Sequence, residues 1–190
     1  MKKVLKLKKY DSDIKLIVGL GNTGEKYAST RHNAGYLFTD YFMYVYLNQF
    51  LVSPQLTEKK SYRLYTFDEL DLALLKPSLM MNLSGEALLE YIKYKDYSLD
   101  EILVVHDDLD ISIGNHKLQI SKSPVLHNGI SSIESVLAGK DFYRLRLGIE
   151  NRTEYRIPGI KYVLEKFSEE EKEQLQVSFQ EICQKEFNLV

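Results

Sequence analysis

The sequence predicts one α/β domain: a twisted, mixed but largely parallel sheet with helices on both faces. Three observations carry that expectation. The 190 residues lie within the size range of one compact domain, and 44% of them are apolar, which is typical of a globular core. Short aliphatic runs alternate with segments of helical character. No internal repeat, low-complexity tract or interdomain linker divides the chain. The domain is expected to span residues 14–190, behind a basic N-terminal extension over 1–13.

Each element follows from local pattern. MKKVLKLKKYDSD is lysine-rich and has no apolar stretch long enough for a secretion signal, so it reads as a solvated strand or arm. IKLIVG, ending at Gly19, is a β-branched run closed by glycine, the pattern of a buried strand. YLFTDYFMYVYL is aromatic and aliphatic enough to be a largely buried helix. RLYTFDELDLALLKP reads as two strands joined near Asp68 and Glu69, the second ended by Pro77. In MMNLSGEALLEYIKYK, Ser84 is expected as N-cap, Glu86 suits the positive end of the helix dipole, and Leu88, Tyr91 and Ile92 share a face. ILVVHDDLDI is the strongest strand signal, four apolar residues running into carboxylates. RLRLGI alternates as a half-exposed strand would. Ser168 to Glu171 form a capping-box pattern, followed by Leu175, Phe179, Ile182 and Phe187 at near-helical spacing.

Composition narrows the function classes. With 25 basic and 27 acidic residues the formal charge is -2, so any RNA contact must use a local basic patch and not a polycationic surface. A lone cysteine, Cys183, excludes an internal disulfide framework and a cysteine-based zinc site and fits a reducing compartment, the cytoplasm being expected. No apolar run is long enough to cross a bilayer.

Sheets of this kind hold ligands at the carboxyl ends of their strands. Asn22, Asn82 and Asp107 each follow an expected strand, so all three should gather at one edge. Gly19, Gly21 and Gly24 satisfy G-x-G-x-x-G, but the residues after Gly24 are too polar for a dinucleotide-binding helix, and Asp40, at nearly the right separation for a ribose acid, falls inside the aromatic helix. His32 sits between Arg31 and Asn33 in a loop beside that helix. A loop histidine often does no more than bond a backbone carbonyl; a carboxylate on one ring nitrogen would instead fix the tautomer and favour a general base. Asp107 is the best placed carboxylate, with Asp108 and Asp110 as alternatives; the three could also form a magnesium site, though no second acidic cluster supports one. Asn22, Asn82 and Asn128 lie beside glycine, as turn residues do, yet their amides could also serve a developing oxyanion. No serine occupies a nucleophile elbow, which leaves water as the nucleophile.

KLIVGLGNTGEKYASTRHNAG, LLKPSLMMNLSGEAL, ILVVHDDLDISIG, LHNGISSI and FYRLRLGI together resemble, in order, the signature blocks of bacterial-type peptidyl-tRNA hydrolases, over roughly residues 14 to 165. The resemblance implies hydrolysis of the ester between a stalled peptide and the 3′-terminal ribose of its tRNA. It implies His32 as the base that activates water, Asp107 as the group that holds it basic, and Asn22 as a residue that distinguishes N-blocked substrates. It implies Asn82 and Asn128 as substrate-binding amides, with Tyr27, Met80 and Met81 lining the crevice. It further implies a monomer that uses no metal and no cofactor, with peptidyl-tRNA as partner. Thr23 stands where the family usually has proline. Residues 121 to 126 replace a glycine-rich loop, and Gln119 stands where a lysine resembling a phosphate clamp is often found. Phosphate contacts are therefore expected from Lys117, Lys122, Arg144 and Arg146, and the 1–13 extension could add an RNA-binding arm or only a solubilising tail. The altered loop and Gln119 also motivate a competing reading, a noncatalytic RNA-binding relative. The full set of His32, Asp107 and three asparagines favours the enzyme.

Overall fold

The computed structural model describes residues 4–67, 70–121, 127–137, 139–153 and 157–189. The chain opens with a hairpin, β1 (Leu5–Leu7) and β2 (Ser12–Ile14). It continues through β3 (Leu16–Gly19), α1 (Ala34–Phe50), β4 (Gln55–Glu58), β5 (Tyr62–Phe67) and β6 (Leu72–Pro77). Then come α2 (Ser84–Ile92), β7 (Ile102–Ser112), β8 (His116–Ile120), α3 (Asn128–Leu137), β9 (Tyr143–Glu150), the short α4 (Gly159–Tyr162) and α5 (Glu169–Phe187).

Seven strands form the main sheet in the order β4-β5-β6-β3-β7-β9-β8. Its four central strands, β6, β3, β7 and β9, run parallel, and antiparallel pairings finish both edges. The mixed, largely parallel sheet read from the sequence is therefore present. Alternation along β3 and β7 sends side chains to opposite faces. Ile17, Leu103 and Val105 pack with Phe38 and Phe42 of α1 and Phe179 of α5, whereas Leu16, Val18, Ile102 and Val104 pack with Ala87 and Leu88 of α2 and Ile130 and Ile133 of α3. Helices thus cover both faces. Among the described residues no helix is long and apolar enough to cross a membrane.

Four local expectations need correction. Ser84 does not cap α2: it is the first helical residue, and its hydroxyl donates to the Met81 carbonyl at 2.8 Å, because a turn over Met81–Leu83 already leads into the helix. β7 does not stop before the acids but carries Asp107 and Asp108 within it. β9 is not half exposed; Arg144 and Arg146 are buried, since partners distant in sequence neutralise them. The basic extension is no solvated arm over its described part, because Leu5 and Leu7 point into the core beside Phe187 while Lys6 stays outside. The turn expected near Asp68 and Glu69 lies outside the described residues. Other readings hold: α1 is the aromatic helix, and Ser168 and Glu171 form a complete capping box at the start of α5.

Candidate active site

The site begins with a close approach. A Cβ on Gly35, in the first turn of α1, would collide with the carbonyls of Val105 and Leu20, so only glycine lets α1 start this near β3 and β7. The turn Arg31–Asn33 just before α1 is thereby laid against the β7 strand that carries Asp107.

That turn is stitched from its other side to the segment entering α5. Backbone N–H groups of Arg31 and His32 donate to the carbonyls of Glu165 and Val163 at 3.1 and 2.7 Å. The buried Arg31 guanidinium donates to both oxygens of Glu171 at 2.9 and 2.7 Å and stacks over the Tyr162 ring, 4.1 Å from its centroid. Glu171 therefore caps α5 and anchors the histidine turn together.

His32 Nδ1 lies 2.9 Å from Asp107 Oδ1, with the imidazole about one-eighth exposed and the carboxylate buried. The same oxygen is 3.0 Å from His127 Nε2. The Ile130 N–H donates to His127 Nδ1 at 3.2 Å, so Nδ1 keeps its lone pair, Nε2 bears the hydrogen, and His127 donates to Asp107. His127 also thereby caps the start of α3. Sequence reasoning passed over His127, although it adjoins Asn128 in the same HNG motif. Its neighbour in space, His106, is buried edge-on to it and donates through Nδ1 to the Asp107 carbonyl at 2.7 Å.

Electrostatics separate these groups. Burial opposes ionisation of Asp107, but His32 and His127 hold its carboxyl far below the usual carboxylate range. Burial would likewise depress His32; the facing Asp107 charge and hydrogen bond more than offset it and hold the imidazole above its ordinary pKa. His106 goes the other way, driven well down chiefly by burial, and stays neutral.

His32, Asp107 and His127 present three potential metal ligands within 4.8 Å of one another. Their hydrogen-bond chemistry argues against that use. A metal on His127 Nε2 would force a hydrogen onto Nδ1, directly against the Ile130 N–H. The acidic alternative is also engaged: Asp108 Oδ2 accepts from Arg146 Nε at 2.6 Å, and Asp108 Oδ1 accepts from the Asp110 N–H at 2.8 Å.

His32, Asp107, His127 and Asn128 line a common cleft of about 830 Å³, to which Pro158, Ile160 and Val163 also contribute. Asn22 belongs to an adjoining cleft, beside Tyr36 and Lys76. It is buried, its Oδ1 accepts from the Met81 N–H at 2.8 Å, and it exchanges two hydrogen bonds with Asn33, the neighbour of His32. The Met81 sulfur in turn presses on Gly129, next to Asn128, so one continuous chain of contacts links the two clefts. Asn82 follows Met81 and is exposed, as is Asn128. Tyr27, Met80, Met81 and Asn82 line neither cleft; Met81 supports the site from within the core and Met80 is 42% exposed.

The expected phosphate contacts divide. Lys117 is exposed on β8, and Lys122 lies outside the described residues, as does most of the 121 to 126 loop. Arg144 and Arg146 are corrected: Arg144 is fully buried on Glu134 at 2.7 Å, and Arg146 is held between Asp108 and Gln119 Oε1, the latter at 2.7 Å. Both guanidiniums neutralise interior acids.

The chain is similar in sequence and in fold to known proteins. The sequence profile described as peptidyl-tRNA hydrolase matches residues 16–189. The peptidyl-tRNA hydrolase of Sulfurihydrogenibium sp. (strain YO3AOP1) is 40% identical over 165 residues, which cover 84% of this chain and 82% of that protein. That of Neisseria meningitidis serogroup C is 39% identical, covering 85% and 83%. The crystal structure of peptidyl-tRNA hydrolase from Acinetobacter baumannii has a TM-score of 0.75 and 30% identity, over 88% of this chain and 83% of that one.

Proposed function

The chain belongs to the peptidyl-tRNA hydrolase family, and from that premise we propose that it cleaves the ester joining a peptide to the 3′-terminal ribose of its tRNA. The observation that carries the mechanism is the 2.9 Å contact between His32 Nδ1 and Asp107 Oδ1 in the wall of an open cleft. An ionised Asp107 accepts from Nδ1–H, which leaves Nε2 as the basic nitrogen. Water gives a proton to Nε2 as its oxygen attacks the ester carbonyl. The tetrahedral intermediate then collapses, the C–O bond to ribose breaks, and the imidazolium returns its proton to the departing 3′ oxygen. Asp107 stabilises the transient imidazolium without taking the proton. Asn128 shares the cleft and is suited to donate to the developing oxyanion. Asn22, its amide oxygen fixed by Met81, offers its NH₂ group toward the N-blocked end of the substrate.

The test is release of an N-acetylated amino acid from its tRNA by wild type and by His32→Ala. Wild type should turn over, and the variant should lose about 10³-fold or more in kcat. Wild type that binds tRNA yet releases nothing would defeat the assignment. No step above uses a metal, so the rate should be the same after exhaustive treatment with EDTA; loss of turnover there would return His32, Asp107 and His127 to the role of ligands.

A further inference from the structure

The cleft that holds Asn22 has a volume of about 740 Å³, and four cations and three acids line it. Two pairs cancel there. Arg63 Nε lies 2.8 Å from Glu58 Oε1, and Lys76 Nζ lies 2.6 Å from Asp40 Oδ1 and over the Tyr36 ring. Lys59, Lys60 and Glu25 remain, all exposed, and among the described residues neither lysine forms an ion pair. The lysines occupy the turn between β4 and β5, and two backbone bonds hold that turn in place. The Lys59 N–H donates to the Tyr62 carbonyl at 2.9 Å, and the Ser78 N–H, just past β6, donates to the Ser61 carbonyl at 2.6 Å. The excess positive charge is therefore borne by a turn fixed to the sheet.

This cleft opens where the acyl half of the substrate must go. Asn22 lines it, and a Cβ on Gly21 would strike the Tyr36 ring, so the loop that presents Asn22 lies flush on an aromatic ring of the same lining. An ester carbonyl held at His32, with its N-blocked end at Asn22, leaves every residue further upstream in the adjoining cleft. The volume is within the range that encloses a drug-sized ligand, which is room for two or three residues of extended chain at about 3.3 to 3.6 Å each. Glu25 belongs to the loop that carries Asn22, whereas the lysines are on a separate turn. The lining is thus acidic in the loop that carries the amide and basic away from it.

We propose that this cleft is the subsite for the upstream residues of the peptide, and that Lys59 and Lys60 make it select a chain with an acidic side chain two or three residues from the ester. This rests on the hydrolase reading above and adds to it a preference among peptides. A carboxylate at that place meets two unpaired ammonium groups, and a lysine there meets the same groups as like charges, so attraction and repulsion favour the same substrates.

The experiment compares N-acetyl-X-Ala-tRNA and N-acetyl-X-Ala-Ala-tRNA, with X as Glu, Gln or Lys on one tRNA. The enzymes are wild type and the double variants Lys59→Gln/Lys60→Gln and Lys59→Glu/Lys60→Glu. At low salt, in at least one of the two peptide lengths, wild type should show kcat/KM about 3- to 5-fold higher for Glu than for Gln and lower again for Lys, the size expected of exposed charge pairs. Added KCl should flatten the series. The glutamine variant should lose the discrimination and the glutamate variant should invert it, the change appearing in KM. An inverted preference cannot come from damage to the turn, because damage would weaken all three peptides alike. A wild type that hydrolyses all three with equal kcat/KM overturns the subsite and leaves the hydrolase reading standing. Variants that bind deacylated tRNA more weakly and lose the three peptides in equal proportion assign the lysines to the RNA backbone, which also overturns it. Failure of wild type to hydrolyse any of these esters would remove the function proposed above, and this subsite with it.

Discussion

Two consecutive carboxylates on β7 have been given opposite partners. Asp107 lends one oxygen to two histidines, His32 and His127; Asp108 is clamped by the guanidinium of Arg146. An arginine stays protonated throughout the working range, so the Asp108 pair is fixed and its role is to fill the interior with balanced charge. A histidine titrates near neutrality, so the Asp107 cluster can accept and return a proton. Identical acids one residue apart thus serve architecture and chemistry, and the partner decides which. Replacing each acid by its amide should separate the two roles in the readout as well as in the magnitude.

Asp107→Asn carries the largest expected effect. An amide in that place can present its NH₂ to His32 and favour the wrong tautomer, so kcat should fall by about 10³- to 10⁴-fold. The sign of the pH effect follows from the causes of the shift. Wild-type rate needs neutral His32, so it climbs with pH through an ionisation above the ordinary histidine value. Asp107 stays ionised throughout that range and adds no inflection of its own. In the variant the group that raises His32 is gone and burial still lowers it, so the residual activity should titrate at lower pH. Unimpaired turnover, or an inflection that stays in place, would remove Asp107 from the mechanism.

Asp108→Asn should act on stability. It leaves Arg146 buried with only Gln119 and a neutral amide, a loss of about 3 kcal/mol. Chemical denaturation should show a lower midpoint, while the pH inflection of whatever rate remains stays at the wild-type position. A displaced inflection would mean that Asp108 also sets the charge of His32, and the contrast between the two acids would collapse.

The same contrast explains what the sequence disclosed. Runs such as LIVG and ILVV declare buried strands because nothing but a core accepts them, and the acids after ILVV stood out as a site for that reason. The alternation YRLRLG, by contrast, carries no sign of whether its arginines meet water or a carboxylate. They meet Glu134 and Asp108, 10 and 38 residues away in the chain, and that pairing exists only after folding. Leu5 and Leu7 did alternate with Lys6, a strand signal in plain view, but the surrounding lysines outweighed it. His127 could have been found by asking which residue caps the helix that begins at Asn128. Its second contact, to Asp107 twenty residues upstream, had no local signature at all.

His127 gives the smallest effect and the sharpest test of how Asp107 divides its charge. Its two nitrogens do separate jobs, Nδ1 accepting from the Ile130 N–H and Nε2 donating to Asp107. Asparagine can reproduce the first, since its Oδ1 occupies nearly the Nδ1 position and asparagine is a favoured helix cap, but it is too short for the second. His127→Asn should therefore keep α3 and the melting temperature. It should cost about tenfold in kcat, the size of one hydrogen bond to a charged acceptor. With one donor gone, the full carboxylate charge turns on His32, so the pH inflection should move up, opposite to the Asp107→Asn shift. His127→Phe removes the cap as well and should add about 1 kcal/mol of destabilisation to the same kinetic change. An inflection that moves down in His127→Asn would show that His127 supports the His32 imidazolium and does not compete with it for the shared oxygen.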